Sequence, residues 1–282
     1  MKVYIIGVGL IGGSFALAIK EIDKEATILG IDKNEENLAE ALHLGIIEET
    51  THIDEIGNAD LVIVSIPVDV NIEMINKVLE NIKDDCLVID TGSTKSKLCE
   101  SIAGHPRRRN FLAAHPIAGT EYSGPGAAVP GLYRNKTMII CEVEKTAFKL
   151  QEKALDLFRK LEMRIRYMDA ASHDKHIAYV SHLSHISSFM LGKTVLEKEK
   201  NERDIFDMAG SGFASTVRLA KSSPAMWTPI FSENRENVLE TLNEYIGNLI
   251  HFKQLIEEND FKEVYAEMEK TNHIKTILNG IN

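Results

Sequence analysis

Apolar and polar positions along this chain fall into blocks whose period changes. Residues 2–8 form a continuous apolar run ending at glycine, and Ile11 to Ile19 carry helix formers up to the charged stretch Lys20 to Glu25. A short, uninterrupted apolar run reads as a buried strand, and the segment behind the glycines as a helix. Ala26 to Ile31 repeat the strand signal up to Asp32, and a helical segment follows through His43 with Asn34 as its cap. The same succession returns in Ala59 to Pro67, Val70 to Ile82, Cys86 to Asp90, Thr94 to Ala103, Phe111 to Ala114 and Thr137 to Cys141. It closes with a helix over Phe148 to Leu161 and an alternating strand over Met163 to Met168. Such alternation predicts an α/β fold with a mainly parallel, doubly wound sheet.

After Asp169 the strand-like runs disappear and helical periodicity takes over. The predicted organisation is therefore a Rossmann-type domain over residues 1–169 and an all-helical domain over residues 170–282. In the tail, Val238, Leu242, Tyr245, Ile246, Leu249, Phe252 and Ile256 recur at helical spacing. This stripe is expected to be buried, either within the chain or against a second subunit, with a homodimer the favoured reading.

Composition narrows the functional classes. The 282 residues are ample for two domains, and 44% hydrophobic with 26% charged residues is ordinary for a globular protein. A net charge of -10 argues against nucleic acid as a partner, because phosphate recognition needs a basic surface. The run Arg107 to Arg109 stands against that balance and reads as a solvated loop rather than an anion site. Three cysteines, Cys86, Cys99 and Cys141, lack metal-ligand spacing and fit a reducing compartment. With no signal-peptide pattern ahead of the first strand and no apolar run long enough to span a membrane, the expected location is the cytoplasm.

Gly7, Gly9, Leu10, Ile11 and Gly12 lie in a GxGxxG loop between the first strand and the first helix. By itself this pattern is weak, but its context fits dinucleotide binding: a tight turn, close backbone approach to a pyrophosphate, and tight helix-on-strand packing. The helix N-terminus adds free N–H donors. Asp32, 20 residues beyond Gly12, ends the second strand, where a carboxylate accepts from ribose hydroxyls and repels a 2'-phosphate. NAD is the expected cofactor.

Three polar clusters carry the remaining chemistry. Asp90 to Lys95 and Ala114 to Glu121 each follow a predicted strand, where ligands of open α/β sheets collect. Ser181 to His185 lies on the first helix of the tail, and its two histidines, three residues apart, share a helix face pointing toward an interdomain cleft. Two histidines without a third ligand do not make a recognisable zinc site, so no metal is expected.

At this point the chain resembles the prephenate dehydrogenases. The resemblance rests on GxGxxGxS at residues 7–14, DTGSTK at 90–95, HPIAGTE at 115–121, SHLSH at 181–185 and AGSGFASTVRLAKSSPAMW at 209–227. It implies a Rossmann domain followed by a helical dimerisation domain, and NAD(P)-dependent oxidative decarboxylation of prephenate, or of arogenate in some members, on the route to tyrosine. It also implies that His115 is the catalytic histidine at the substrate's ring hydroxyl, with Ser93 beside it. Arg218 corresponds to the carboxylate-binding arginine, His185 to a substrate-binding histidine and His182 to a neighbour of it. Glu121 is read as the partner of an arginine gating the cleft, and Trp227 as a packing residue at its mouth.

The implied chemistry suits these residue types. Hydride leaves the carbinol carbon, the hydroxyl proton needs a base titrating near neutrality, and the resulting dienone loses carbon dioxide as it becomes aromatic. A guanidinium grips a carboxylate through two parallel hydrogen bonds, which an ammonium cannot do.

The chain departs from the family at Ser184, where proline is frequent, and at Ser211, where glycine is common. Both changes bear on substrate preference more than on reaction type. A regulatory small-molecule domain is not expected. Rival readings are a β-hydroxyacid dehydrogenase or an imine reductase, of which the hydroxyacid enzymes resemble this architecture but place a catalytic lysine on the first helix of the second domain, and a non-enzymatic NAD-sensing dimer, which would have no use for His115 or Arg218.

Overall fold

The computed structural model describes residues 1–200, 202 and 204–278. The chain opens with β1 (Lys2–Ile6), α1 (Leu10–Ile22), β2 (Thr27–Ile31), α2 (Glu35–His43) and the short β3 (Glu49–Thr50). It continues through β4 (Leu61–Val64), α3 (Val68–Asn81), β5 (Leu87–Asp90), α4 (Ser96–Ser101) and β6 (Phe111–Ile117). The sheet is completed by β7 (Thr137–Cys141), α5 (Phe148–Lys160) and β8 (Arg164–Met168).

The eight strands lie in the order β3-β2-β1-β4-β5-β6-β7-β8, and every neighbouring pair is parallel except β6 and β7. The predicted doubly wound sheet is thus present. Its winding reverses between β1 and β4, opening a crevice at their carboxyl ends. Successive strand residues serve opposite faces. Val3, Ile5 and Ile63 pack with Phe15 of α1 and Phe158 of α5, whereas Tyr4, Ile6 and Val62 pack with Ile75 of α3 and Leu98 of α4. Complete burial of each such side chain contributes about 1.5–3 kcal/mol, which explains why the central strands are unbroken apolar runs.

Asn34 caps α2 as predicted, accepting from Glu36 N at 2.8 Å. The three cysteines are free and buried, and burial pushes each thiol up to about 12, so they act as small apolar side chains. The solvated-loop expectation holds for the exposed Arg109 but is corrected for Arg107 and Arg108. Arg107 donates to the carbonyls of Leu79, Glu80 and Ile82 at the end of α3, where a cation opposes the helix dipole. Arg108 is buried, bonded to Phe111 O at 3.0 Å and to Glu142 at 3.1 Å.

Beyond Met168 the described elements are helical: α6 (Ala170–Ile177), α7 (Leu183–Glu199), α8 (Ser211–Thr216), α9 (Pro224–Glu233), α10 (Arg235–Glu257), α11 (Phe261–Thr271) and α12 (Ile274–Leu278). Asp169 caps α6 by accepting from Ser172 N at 2.8 Å. A π-helical turn, Ala178–His182, joins α6 to α7 without interrupting the helix. The chain divides into two compact units, Met1–Arg235 and Glu236–Asn282. Helices α6 and α9 share the first unit with the sheet because α6 packs on α4 and α9 on α3.

In the second unit the predicted apolar stripe is only partly buried. Val238 is 7% exposed, but Ile246, Leu249, Phe252 and Ile256 are 44%, 52%, 37% and 46% exposed. Of the two expected ways to bury the stripe, coverage by the chain itself does not hold for these four residues.

Candidate active site

The glycine loop follows β1 at the crevice, and each glycine answers a different constraint. Gly7 has φ +88°, and a Cβ there would stand 2.3 Å from the Ser65 carbonyl oxygen at the end of β4. A Cβ on Gly12 would stand 2.0 Å from the carbonyl oxygen of Gly7. By contrast, a Cβ on Gly9 would meet nothing nearer than Gly124 N at 4.0 Å, so this glycine faces open space. Gly9 is also the N-cap of α1 and offers no capping side chain. The leading amides of α1, from Leu10 and Ile11 onward, therefore have no intrahelical acceptor. Asp32 completes the cradle: its carboxylate accepts from Val8 N at 3.1 Å and from Asn34 N at 2.9 Å. An open backbone approach, a bare helix N-terminus and a fixed acceptor suit a dinucleotide with free ribose hydroxyls.

The loop over residues 118–133, between β6 and β7, ties this cradle to the next cluster. Val129 N donates to Ser14 Oγ at 3.0 Å and the Tyr133 hydroxyl to Ile11 O at 2.6 Å. From the same loop Glu121 reaches Arg218, with Oε2 and Nη1 3.4 Å apart. The predicted pairing of Glu121 with an arginine is thus present. Arg218 is 53% exposed, and an exposed ion pair contributes only about 0–1 kcal/mol, so Glu121 is readily exchanged for another carboxylate.

His115 lies in β6, past the last residue of β5 paired with that strand, and so at the carboxyl edge of the sheet. Its Nδ1 is 2.9 Å from His173 Nε2, and His173 Nδ1 is 2.7 Å from Asp174 Oδ1. Asp174 also accepts from the amides of Lys95 and Ser96, each at 2.8 Å, at the start of α4. Burial opposes ionisation of this carboxyl, but the hydrogen bonds from His173 and Ser96 outweigh it and hold Asp174 below the usual carboxylate range. Burial holds His115 well below the ordinary histidine value, helped by His173, Lys95 and His182. Burial lowers His173 as well, against the opposing hydrogen bond to Asp174. His173 and Asp174 carried no motif in the sequence; their adjacency on a helix directly behind the last strand was the only available signal.

Ser93 sits, partly exposed, in the turn between β5 and α4. Two residues on, Lys95 is fully buried with its ammonium on Asp90. Asp90 in turn accepts from Asn71 Nδ2 at 2.6 Å and Gly92 N at 2.8 Å, which braces the turn.

The two tail histidines differ. His185 is half-buried, donates Nδ1–H to Ser181 O at 2.9 Å, and stacks on Trp227 with ring centroids 3.5 Å apart. Its Nε2 is therefore the acceptor nitrogen. Burial keeps it below the ordinary value, with Arg218 adding to the shift. His182 lies within the π-helical turn and is fully enclosed, with Nδ1 3.3 Å from Asn234 Nδ2 and Trp227 and Phe231 against its ring. Burial takes it down to about 4. Both rings meet Trp227, so they share a side of the helix, but only His185 is partly open. His182 Nε2 and Trp227 Nε1 are buried without a protein hydrogen-bond partner.

A dinucleotide cradle, a neutral imidazole at the carboxyl edge of the same sheet and an exchangeable arginine define a nicotinamide-dependent oxidoreductase. Comparison with known proteins gives the family. The profile described as "Prephenate dehydrogenase, nucleotide-binding domain" matches residues 15–167, and "Prephenate dehydrogenase, dimerization domain" matches residues 169–270. The chain belongs to the prephenate dehydrogenase family. It is 31% identical to a prephenate dehydrogenase of Bacillus subtilis over 267 residues, 93% of this chain and 72% of that one. It is 30% identical to a cyclohexadienyl dehydrogenase of Zymomonas mobilis over 259 residues, 91% of this chain and 88% of that one. The crystal structure of Aquifex aeolicus prephenate dehydrogenase in complex with hydroxyphenyl propionate and NAD+ superposes with a TM-score of 0.90 at 33% identity, covering 99% and 98% of the two chains. The nucleotide-binding match begins after the glycine loop, so the loop geometry adds to it independently.

Proposed function

We propose that this chain catalyses the NAD-dependent oxidative decarboxylation of prephenate to 4-hydroxyphenylpyruvate, on the route to tyrosine. The observation that carries the reading is His115: a neutral, half-buried imidazole at the carboxyl edge of the sheet that holds the glycine cradle. When bound, the oxidised nicotinamide supplies the hydride acceptor. Gly7, Gly9, Leu10, Ile11 and Gly12 hold the dinucleotide, and Asp32 accepts from its ribose. His115 takes the proton of the substrate's ring hydroxyl, and Ser93 orients that hydroxyl. A base inside low-dielectric surroundings stays unprotonated, and therefore competent, well into the acid range.

Arg218 releases Glu121 to grip a substrate carboxylate, which offers the guanidinium two acceptors in one plane. His185 accepts through Nε2 at the substrate side chain, steadied by its stack on Trp227. His182, with Nε2 unpaired, adds a hydrogen-bond group behind it. The cyclohexadienyl dehydrogenase relative favours a second reading, in which arogenate is also oxidised. We assign cofactor binding to residues 1–169 and substrate selection and dimerisation to residues 170–282. The exposed apolar residues Ile246, Leu249, Phe252 and Ile256 support a homodimer, since a patch of this kind marks an association surface. Among the described residues no helix is long and apolar enough to cross a membrane, and the cytoplasm is the proposed location.

The test is a side-by-side assay of purified protein with prephenate and arogenate, each with NAD and NADP. Prephenate with NAD is expected to give NADH and 4-hydroxyphenylpyruvate. The assignment fails if neither substrate reduces either cofactor.

A further inference from the structure

Behind His115 lies a line of titratable groups that the proposed reaction leaves unused. We propose that His173 and Asp174 form a proton relay that sets the tautomer of His115 and then receives its proton, a role that rests on reading His115 as the base.

The direction of the line follows from donors and acceptors alone. An ionised carboxylate only accepts, and Asp174 is held ionised by two backbone amides at 2.8 Å. His173 Nδ1, at 2.7 Å, must therefore carry a proton. In neutral His173 the Nε2 atom is then an acceptor, and the group facing it at 2.9 Å is His115 Nδ1, which must be the N–H. What remains on His115 is an unprotonated Nε2, the form a base needs. Reversal of any link would set two donors or two lone pairs against each other.

The same line provides an exit for the proton. The substrate O–H bond breaks as His115 Nε2–H forms. His115 Nδ1–H breaks as His173 Nε2–H forms, while the electron pair of the carbinol C–H bond leaves as hydride to the oxidised nicotinamide cofactor. His115 ends neutral with its proton on Nε2, and the positive charge rests on His173 against Asp174. Burial opposes a charge on His115, so moving it one ring toward a carboxylate relieves that penalty. The other charged or titratable groups acting on the two rings are Lys95, already neutralised by Asp90, and His182, which burial keeps neutral near pH 7. Asp174 is thus the unpaired counter-charge of the cluster. Its backbone carbonyl also accepts from Asn234 Nδ2 at 2.6 Å, which fastens the relay to the end of α9.

The first experiment uses the unaltered protein. Imidazole nitrogen NMR should find both His115 and His173 with the proton on Nδ1 and a bare Nε2; a proton on His115 Nε2 would overturn the relay. The second uses Asp174→Asn, which removes the negative charge facing His173 while leaving an amide oxygen to accept from His173 Nδ1 and the Lys95 amide. We expect kcat to fall roughly 10²–10⁴-fold with NAD affinity within twofold of the parent, in the range seen when a positioned base is disabled. The acid limb of kcat/KM should move to lower pH, because the remaining imidazoles lose the carboxylate that favours their charge; a merely structural role would leave it in place. His173→Gln keeps an acceptor for His115 Nδ1 but takes no proton, and should lower kcat as well. If both variants keep kcat within threefold and the pH profile unmoved, the relay is wrong. In that event, loss of turnover in His115→Asn would leave the base assignment standing, whereas full turnover in His115→Asn would remove the proposed reaction mechanism itself.

Discussion

Gly9 and Gly12 are equivalent letters of one motif, and the structure predicts that replacing each with alanine has opposite consequences. A Cβ at Gly12 would sit 2.0 Å from the Gly7 carbonyl oxygen and 2.8 Å from Ile5 Cγ2. Relief requires moving backbone by more than about 1 Å at the tight turn itself, and overpacking of this kind costs about 3 kcal/mol or more. In a cooperative unit of this size that lowers Tm by roughly 6–12 °C. At Gly9 the nearest atom is 4.0 Å away and φ is -71°, which alanine adopts freely. The poorer N-cap and the stiffer unfolded chain partly offset each other, leaving stability within about 1 kcal/mol of the parent. Yet the methyl occupies the approach to the α1 amides. Losing one or two hydrogen bonds to a charged group, at about 1.5–3 kcal/mol each, weakens NAD binding roughly 10- to 10⁴-fold. Thermal unfolding without ligand and calorimetric titration with NAD separate the two effects. The reasoning is refuted if Gly9→Ala binds NAD like the parent, or if Gly12→Ala unfolds at the parent Tm.

Three further outcomes are expected. His182 falls from 6.5 in the unfolded chain to about 4 in the folded one, so the unfolded state binds the extra proton between those values. Its contribution is complete above pH 6.5 and is lost progressively toward pH 4, about 3 kcal/mol in all, and denaturant titrations of the parent and His182→Gln across that window should differ in slope. Arg218→Ala should raise the KM for prephenate about 10-fold or more with NAD affinity unchanged, as read from initial rates; an unaltered KM rules out the carboxylate contact. Asp32→Asn should weaken NAD and narrow its advantage over NADP, as measured by competitive binding, because the substitution removes the charge that repels a 2'-phosphate.

Much of the nucleotide-binding half was legible in the chain because its signals are local. Buried strands are short apolar runs, and the loop from Gly7 to Gly12 with Asp32 behind it records constraints imposed within one βαβ unit. The two-residue strand Glu49–Thr50 gave no such signal, since a pair of polar residues has no period. The place of Arg107 gave no signal for a related reason: whether it meets water or the end of α3 depends on a helix that ends 26 residues earlier.

Sequence alone determined the element order, the cradle and the residue types suited to the chemistry, because spacing and side-chain chemistry belong to the chain. Only the tertiary structure decided which of those residues meet. His115 and His173 are 58 positions apart, and Glu121 and Arg218 97. They come together because α6 packs on α4 and the loop after β6 folds back across the molecule, a matter of long-range burial that no local pattern encodes. The same packing settles which glycine confronts protein and which confronts open space.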